Sequence, residues 1–303
     1  METVRLRLDL AYDGTAFSGW SSQPGLRTVQ GVVEEAFAIL MRHPKRDVRL
    51  IVAGRTDAGV HAIGQVAHVD VSAARWRALS AARRGSTAEH SFERRLNGII
   101  GGRSADVVIE RVSIAAAGFD ARFSPLWRHY EYRIADADSK RDPRRRTHTL
   151  WHSGHLDAGA MDAAARSLTG LHDFAAFCKP RKRSTTIRTL LDFGWSRDDH
   201  GVLIAEVRAD AFCHSMVRSL VGGAVAVGLG TIAPHQLGQI LTDAVKANAF
   251  PVASAKGLTL IEVGYPADDE LEARAALTRA RRTPMVSDAD SSNAGSSDAG
   301  SSD

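Results

Sequence analysis

The densest group of chemically capable side chains in this sequence is the run Gly54-Arg55-Thr56-Asp57-Ala58-Gly59. Two glycines bracket a guanidinium and a carboxylate. Such a loop can take positive φ, bring its backbone close to a ligand and hold Asp57 at its apex. A carboxylate presented in this way acts as a nucleophile or as a base. To stay ionised in a partly desolvated pocket it needs a cation or hydrogen-bond donors beside it. The bare pattern also describes an Asx turn in which Asp57 bonds only its own loop, so both readings stand at this point. A second cluster, His148, His152 and His155, has a spacing that puts ligands on one helical face. No carboxylate follows it in a metal-site pattern and Gly154 weakens the helix, so the expectation is no metal. Gly228-Leu229-Gly230 lies at a helix end and not at a strand-to-helix turn, which fails the requirement of a dinucleotide loop.

Regular elements must position the loop. Val4 to Leu10 alternate apolar and polar residues and read as a half-buried strand. Thr28 is placed to cap a helix with the stripe Val29, Val32, Val33, Ala36, Phe37 and Leu40. Val48–Ala53 and Gln65–Val71 read as strands on either side of the Asp57 loop, which therefore sits on a sheet rim. Residues 72–95 are Arg-rich and read as a helix with a mobile connection, followed by a strand over 107–112. The order then recurs: a strand over 128–134, a basic loop, a helix near 157–168, a strand near 202–207, and apolar helices through Met216–Val225 and Leu237–Leu241. The expected class is α+β, with two related subdomains forming a mixed, mostly antiparallel sheet flanked by helices and a cleft between them. The expected boundaries are 1–115 for the subdomain carrying Asp57, 116–268 for the one completing the cleft, 269–283 for a basic helical extension and 284–303 for an acidic tail. That tail is dominated by Ser, Asp, Gly and Ala and is predicted to be disordered.

Composition narrows the class. Hydrophobic residues make up 44% of the 303 and charged residues 24%, and no apolar run approaches the roughly 20 residues that span a bilayer. The first residues lack the apolar stretch of a secretory signal. Two cysteines, Cys178 and Cys213, are too few for a disulfide framework, so a cytoplasmic location is expected. The net charge is +4, and the tail holds four aspartates and no Lys or Arg, which leaves +8 on residues 1–283. A surplus of that sign favours a polyanionic partner.

The longer run Ala53-Gly54-Arg55-Thr56-Asp57-Ala58-Gly59-Val60-His61-Ala62 resembles the signature of the tRNA pseudouridine synthase A family. The resemblance extends over most of residues 4–266. It takes in Ala11-Tyr12-Asp13-Gly14, Gly19-Trp20, Gly64-Gln65-Val66, Phe119-Asp120-Ala121-Arg122-Phe123-Ser124, Arg128-His129-Tyr130-Glu131-Tyr132, Gly170-Leu171-His172-Asp173-Phe174 and His214-Ser215-Met216-Val217-Arg218. It implies isomerisation of uridine to pseudouridine in the anticodon stem-loop of tRNA, at positions 38 to 40, by a homodimer that needs no cofactor. Asp57 matches the family's catalytic carboxylate and Arg218 its counter-ion. Tyr130 matches the tyrosine that stacks on the target base, and Arg55 suits extrusion of that base from its helix. Arg55, Tyr130, Arg122, Arg128 and His61 are expected to hold the substrate.

Further RNA contacts are expected from Arg75, Arg77, Arg83, Arg84, Arg94, Arg95, Arg144-Arg145-Arg146 and residues 179–183, although any one such charge reads equally as solvated surface. The sequence departs from the family at Ser21-Ser22, where Gln or Gln-Arg is usual, and over 98–102, where Leu-Pro is missing; residues 78–94 look expanded. An RNA-binding protein without turnover is the competing class. The retention of Asp57, Tyr130 and Arg218 weighs against it.

Overall fold

The structure is a computed structural model and describes residues 2–79, 85–102, 105–180, 185–243 and 250–280. Its centre is a mixed, mostly antiparallel sheet. The first half of the chain supplies β1 (Thr3–Tyr12), β2 (Ile51–Val52), β3 (His61–Ser72) and β4 (Val107–Ile114). The second supplies β5 (Trp127–Ala135), β6 (Leu150–Trp151), β7 (Gly170–Asp173), β8 (Ile187–Arg197), β9 (Leu203–Ala209) and β10 (Leu258–Gly264). The main path runs β4-β1-β3-β10-β5-β9-β8-β7, with β2 beside β3 and β6 beside β5.

Strand β1 follows its alternation closely. Leu6, Leu8, Leu10 and Tyr12 are buried on one face, while Arg5, Arg7 and Asp9 point to the other. The buried row is covered by α1 (Val29–Met41), whose Val33, Phe37 and Leu40 lie in the same core as Phe92 and Leu96 of α3 (Ala88–Ile100). Thr28 caps α1 as its sequence predicts, accepting from the Gly31 N–H at 3.2 Å. The Arg-rich stretch resolves into α2 (Ala73–Leu79) and α3, and Arg83 and Arg84 lie outside the described residues. In the second half, α4 (Ala158–Arg166), α5 (Met216–Gly228) and α6 (Pro234–Asp243) pack together, and α4 packs on β8. The expected basic extension is helical as α7 (Leu271–Ala280), and the acidic tail lies outside the described residues. No helix among the described residues is long and apolar enough to cross a membrane.

One strand decides how the two halves meet. β10 comes from near the C-terminal end, runs parallel to β3 and antiparallel to β5, and its Leu260 stands opposite both Ala62 and Tyr130. With strands about 4.8 Å apart, the backbones of Ala62 and Tyr130 are separated by about 10 Å. That spacing sets the gap between the start of β3, where the Asp57 loop ends, and the tyrosine on β5. The sequence reading had no strand at β7, β8 or β10. It gave a long strand over 48–53, of which only Ile51–Val52 pairs.

Candidate active site

The Asp57 loop rests on a buried polar cluster. The Tyr12 hydroxyl is 2.8 Å from the Thr56 hydroxyl and accepts from the Gln65 side-chain amide at 3.1 Å. That amide also donates to the Gly54 carbonyl at 2.9 Å. Burial pushes the Tyr12 phenol up to about 12, so the cluster is neutral. Gly14 packs so tightly on the loop that a Cβ would stand 2.0 Å from the Val60 carbonyl oxygen. Of the two bracketing glycines, Gly59 takes the left-handed backbone (φ +79°), whereas Gly54 does not. Only the second glycine of the pair is therefore required by backbone geometry.

Asp57 does not form an Asx turn. Its carboxylate turns across to the segment before and inside α5: Oδ2 accepts from the Ser215 hydroxyl at 3.3 Å and lies 3.5 Å from Arg218 Nη1, while Oδ1 lies 3.6 Å from His214 Nε2. Arg218 is itself anchored, its Nε donating to the Ala253 carbonyl at 2.7 Å. The Asp57 side chain is 30% exposed and opens on a cavity of about 320 Å³. Among the residues lining that cavity, Asp57 is the one carboxylate. Five arginines, Arg49, Arg55, Arg122, Arg128 and Arg218, share the walls with Tyr130, Phe212, Cys213 and His214.

Four of the expected site residues converge there. Arg55 and Arg122 are exposed at the cavity, and Arg218 faces Asp57. Tyr130 is 8% exposed, with its ring edge-on to Phe212 at 5.2 Å and 89°. Burial pushes its phenol well above its ordinary range, so it is neutral. Tyr132, two residues on, is fully buried and donates to the Ser254 carbonyl, as a core residue would.

Two others have different surroundings. Arg128 lies in the cavity wall, but its guanidinium donates to the carbonyls of Asp210 (2.6 Å), Ala53 (3.1 Å) and Arg122 (3.3 Å). It ties β5 to the strand leading into the Asp57 loop. His61 is absent from this cavity. It is 5% exposed, accepts from the Gly14 N–H at 3.1 Å and lines a separate hollow with Asp13 and His148. Its neighbours Ala62 and Ile63 at the start of β3 line the same hollow.

The wider basic set is dispersed. Arg75 donates to the Met41 carbonyl, Arg77 pairs with Glu2, Arg144 with Asp142 and Arg145 with Asp198. Residues 181–183 lie outside the described residues. The three histidines of the discarded metal reading go separate ways, His152 to the backbone of Gly154 and His155 to Asp138. No group of metal-ligating side chains occurs among the described residues.

Comparison with known proteins supplies the class. The sequence profile described as tRNA pseudouridine synthase matches residues 10–90 and 164–266. The chain belongs to the tRNA pseudouridine synthase family. A tRNA pseudouridine synthase A from Leifsonia xyli is 53% identical over 93% of this chain and 99% of its own length. Those of Streptomyces avermitilis (50%, 92% of this chain and 94% of its own) and Mycobacterium leprae (47%, 93% and 96%) are similar along their lengths. A solved archaeal box H/ACA Nop10–Cbf5 complex overlays with a TM-score of 0.30 at 11% identity, covering 73% of this chain and 44% of that one, and carries no argument. The chain is thus an enzyme, an isomerase of the pseudouridine synthase kind.

Residues outside the sequence expectation also stand at the site. Arg49 lines the cavity from the stretch read as a strand, and His214 and Ser215 touch Asp57 although only their neighbour Arg218 had an assigned role. Cys178 and Cys213, 35 residues apart, lie together with Cα atoms 5.8 Å apart, a separation that a disulfide spans, and Cys213 is in the cavity wall. Their spacing in the chain carries no signal of this.

Proposed function

We propose that this enzyme converts uridine to pseudouridine in the anticodon stem-loop of tRNA, at positions 38 to 40, with Asp57 as the catalytic carboxylate acting on a flipped-out uridine. The observation that carries the reading is the solitary Asp57 carboxylate in a cavity whose walls also carry five arginines and an aromatic pair. Pseudouridine formation breaks the bond from ribose C1′ to uracil N1, turns the base and rejoins it through C5. One carboxylate serves attack at the base, attack at C1′ or removal of a ribose proton, and all three need it ionised. Arg218, 3.5 Å away, is the counter-ion in this reading.

A stacked base must leave its helix to reach the cavity. The exposed guanidinium of Arg55 is placed to brace the vacated position, and the Tyr130 ring to stack on the extruded uracil. Arg49 and Arg122 at the rim suit phosphates, so affinity falls steeply with salt as condensed counterions cease to be released favourably. We place the enzyme in the cytoplasm and expect it to work as a homodimer, in keeping with its family.

The deciding experiment incubates purified protein with unmodified tRNA and maps pseudouridine by carbodiimide chemistry, beside an Asp57→Ala variant. Product at 38 to 40 from the parent alone is expected, with tRNA binding kept by the variant. Equal product from both proteins, or product elsewhere in the tRNA, overturns the reading.

A further inference from the structure

Ser215 stands at the N-cap of α5 but does not cap it. A serine there ordinarily keeps an extended backbone and accepts from an N–H of the first helical turn. Thr28, Thr87 and Asp157 do so for α1, α3 and α4, each with an extended backbone and a side chain bonded to its own helix. Ser215 departs on both counts. Its backbone is left-handed (φ +63°, ψ +10°), and its side chain makes no capping bond. Arg42, the C-cap of α1, is the only other non-glycine residue with positive φ among those described. Left-handed backbone is disfavoured for serine and persists where the surroundings demand it, often at functional sites.

The hydroxyl withheld from the helix goes to Asp57 Oδ2, at 3.3 Å and 158 residues away in the chain. The left-handed turn also lets His214, before it, and Arg218, after it, reach the same carboxylate, at 3.6 and 3.5 Å. Oδ2 is thereby engaged twice, by Ser215 and Arg218. Oδ1 has His214 alone, beyond hydrogen-bond distance.

We infer that Ser215 is a positioning residue for the reaction: its hydroxyl fixes the rotation of the Asp57 carboxylate so that Oδ1 is the oxygen presented to the uridine. This rests on Asp57 being the catalytic carboxylate. The chain accepts a strained cap without a capping bond, and gains a donor aimed at the reacting group.

Three substitutions separate positioning from mere support of the helix. Ser215→Gly removes the hydroxyl and relieves the backbone, Ser215→Ala removes the hydroxyl and keeps the strain, and Ser215→Asn offers an amide donor on a residue that tolerates the left-handed region. Each is assayed for kcat and KM on tRNA and for Tm, beside Asp57→Ala. The expectation is a Gly variant with Tm at or above the parent's, KM within about twofold and kcat down at least about tenfold, the size of a lost hydrogen bond to a charged group. Ser215→Ala loses the same kcat with a lower Tm, and Ser215→Asn regains most of it.

Parent-level kcat in the Gly variant overturns the inference, as does a kcat loss in that variant matched by a fall in its Tm. A raised KM with kcat unchanged also overturns it, by moving Ser215 to tRNA binding. If the Gly variant does not fold, the contrast of Ala with Asn decides: equal losses in both overturn the inference. An active Asp57→Ala enzyme sinks the functional reading itself. An inactive one beside a fully active Ser215→Gly sinks only the role given to Ser215.

Discussion

Of the aspartates that face an arginine, Asp136 in the second half of the sheet and Asp57 at the cavity are built to opposite specifications. Asp136 is fully buried and saturated. It accepts from Arg197 at 3.0 and 2.7 Å, from the Ser139 hydroxyl at 2.8 Å and from the N–H groups of Asp138 and Leu156 at 3.2 Å. Burial alone would raise its pKa, but the Arg197 and Ser139 bonds outweigh it and hold the carboxyl at about 2. Asp57 is 30% exposed, and its contacts run from 3.3 to 3.6 Å. A carboxylate whose lone pairs are all engaged at short range has nothing left to offer a substrate. One balanced by looser contacts at a cavity keeps an oxygen available. The same residue pair is a fastening in one place and, under the proposed function, a reagent in the other, and saturation makes the difference.

Asparagine at each position is the sharpest way to break that comparison. Asp57→Asn should lower turnover by at least about a thousandfold, the upper part of what a positioned acid or base contributes, with Tm nearly unchanged. Asp136→Asn should do the reverse. It leaves the Arg197 charge stranded among carbonyls and costs about 3 kcal/mol of stability, while turnover per folded molecule stays at the parent level. Pseudouridine formation and thermal unfolding measured on the same preparations check both halves. A large loss of Tm from Asp57→Asn would show that Asp57 is a fastening too.

What could be read from the sequence follows the same division. The Asp57 loop, β1 and α1 were legible because their signals are local: a glycine-bounded motif, a period of two, and a helical stripe behind Thr28. Arg218 and Tyr130 were expected through family resemblance, without a local signal, and the structure brings both to the walls of the Asp57 cavity. The saturation that separates Asp57 from Asp136 was not legible, because it depends on partners far away in the chain, Ser215 at 158 residues for one and Arg197 at 61 for the other. β10 was hidden for a similar reason. Its seven residues become a strand by lying between β3 and β5, a tertiary fact. His61 illustrates the limit of a motif, since it belongs to the signature run yet lines a separate hollow with Asp13 and His148.

Acid titration of stability sharpens the comparison at smaller scale. His68 is 3% exposed, and burial first, then Arg5, lowers its pKa to about 4; its Nδ1 accepts from the Ala121 N–H at 3.0 Å. It is neutral when folded, whereas the unfolded chain takes up a proton below the ordinary value of 6.5. Stability therefore falls as pH drops from about 6.5 to about 4. Asp136 has the depressed pKa of a paired carboxylate, so its contribution is complete above the ordinary value of 3.8 and is lost as pH falls through about 2. Tm against pH should show two losses in those windows, the first absent in His68→Gln and the second in Asp136→Asn. A second loss that survives Asp136→Asn would remove that pair from the account of acid stability.

The smallest effect is expected at Tyr130, and it tests whether the carboxylate is the one group at the site that moves a proton or forms a bond. The ring is nearly buried and packed edge-on against Phe212, and burial keeps the phenol protonated through any working pH. A group that cannot ionise contributes its face, so Tyr130→Phe should keep turnover within about fivefold of the parent, the scale of one neutral hydrogen bond. Tyr130→Ala removes the stacking surface and should fall well below that. The two variants on the same tRNA separate surface from proton. If Tyr130→Phe falls as far as Asp57→Asn, the hydroxyl moves a proton in the reaction, and Asp57 no longer differs from its neighbours by being the one chemical reagent in the cavity.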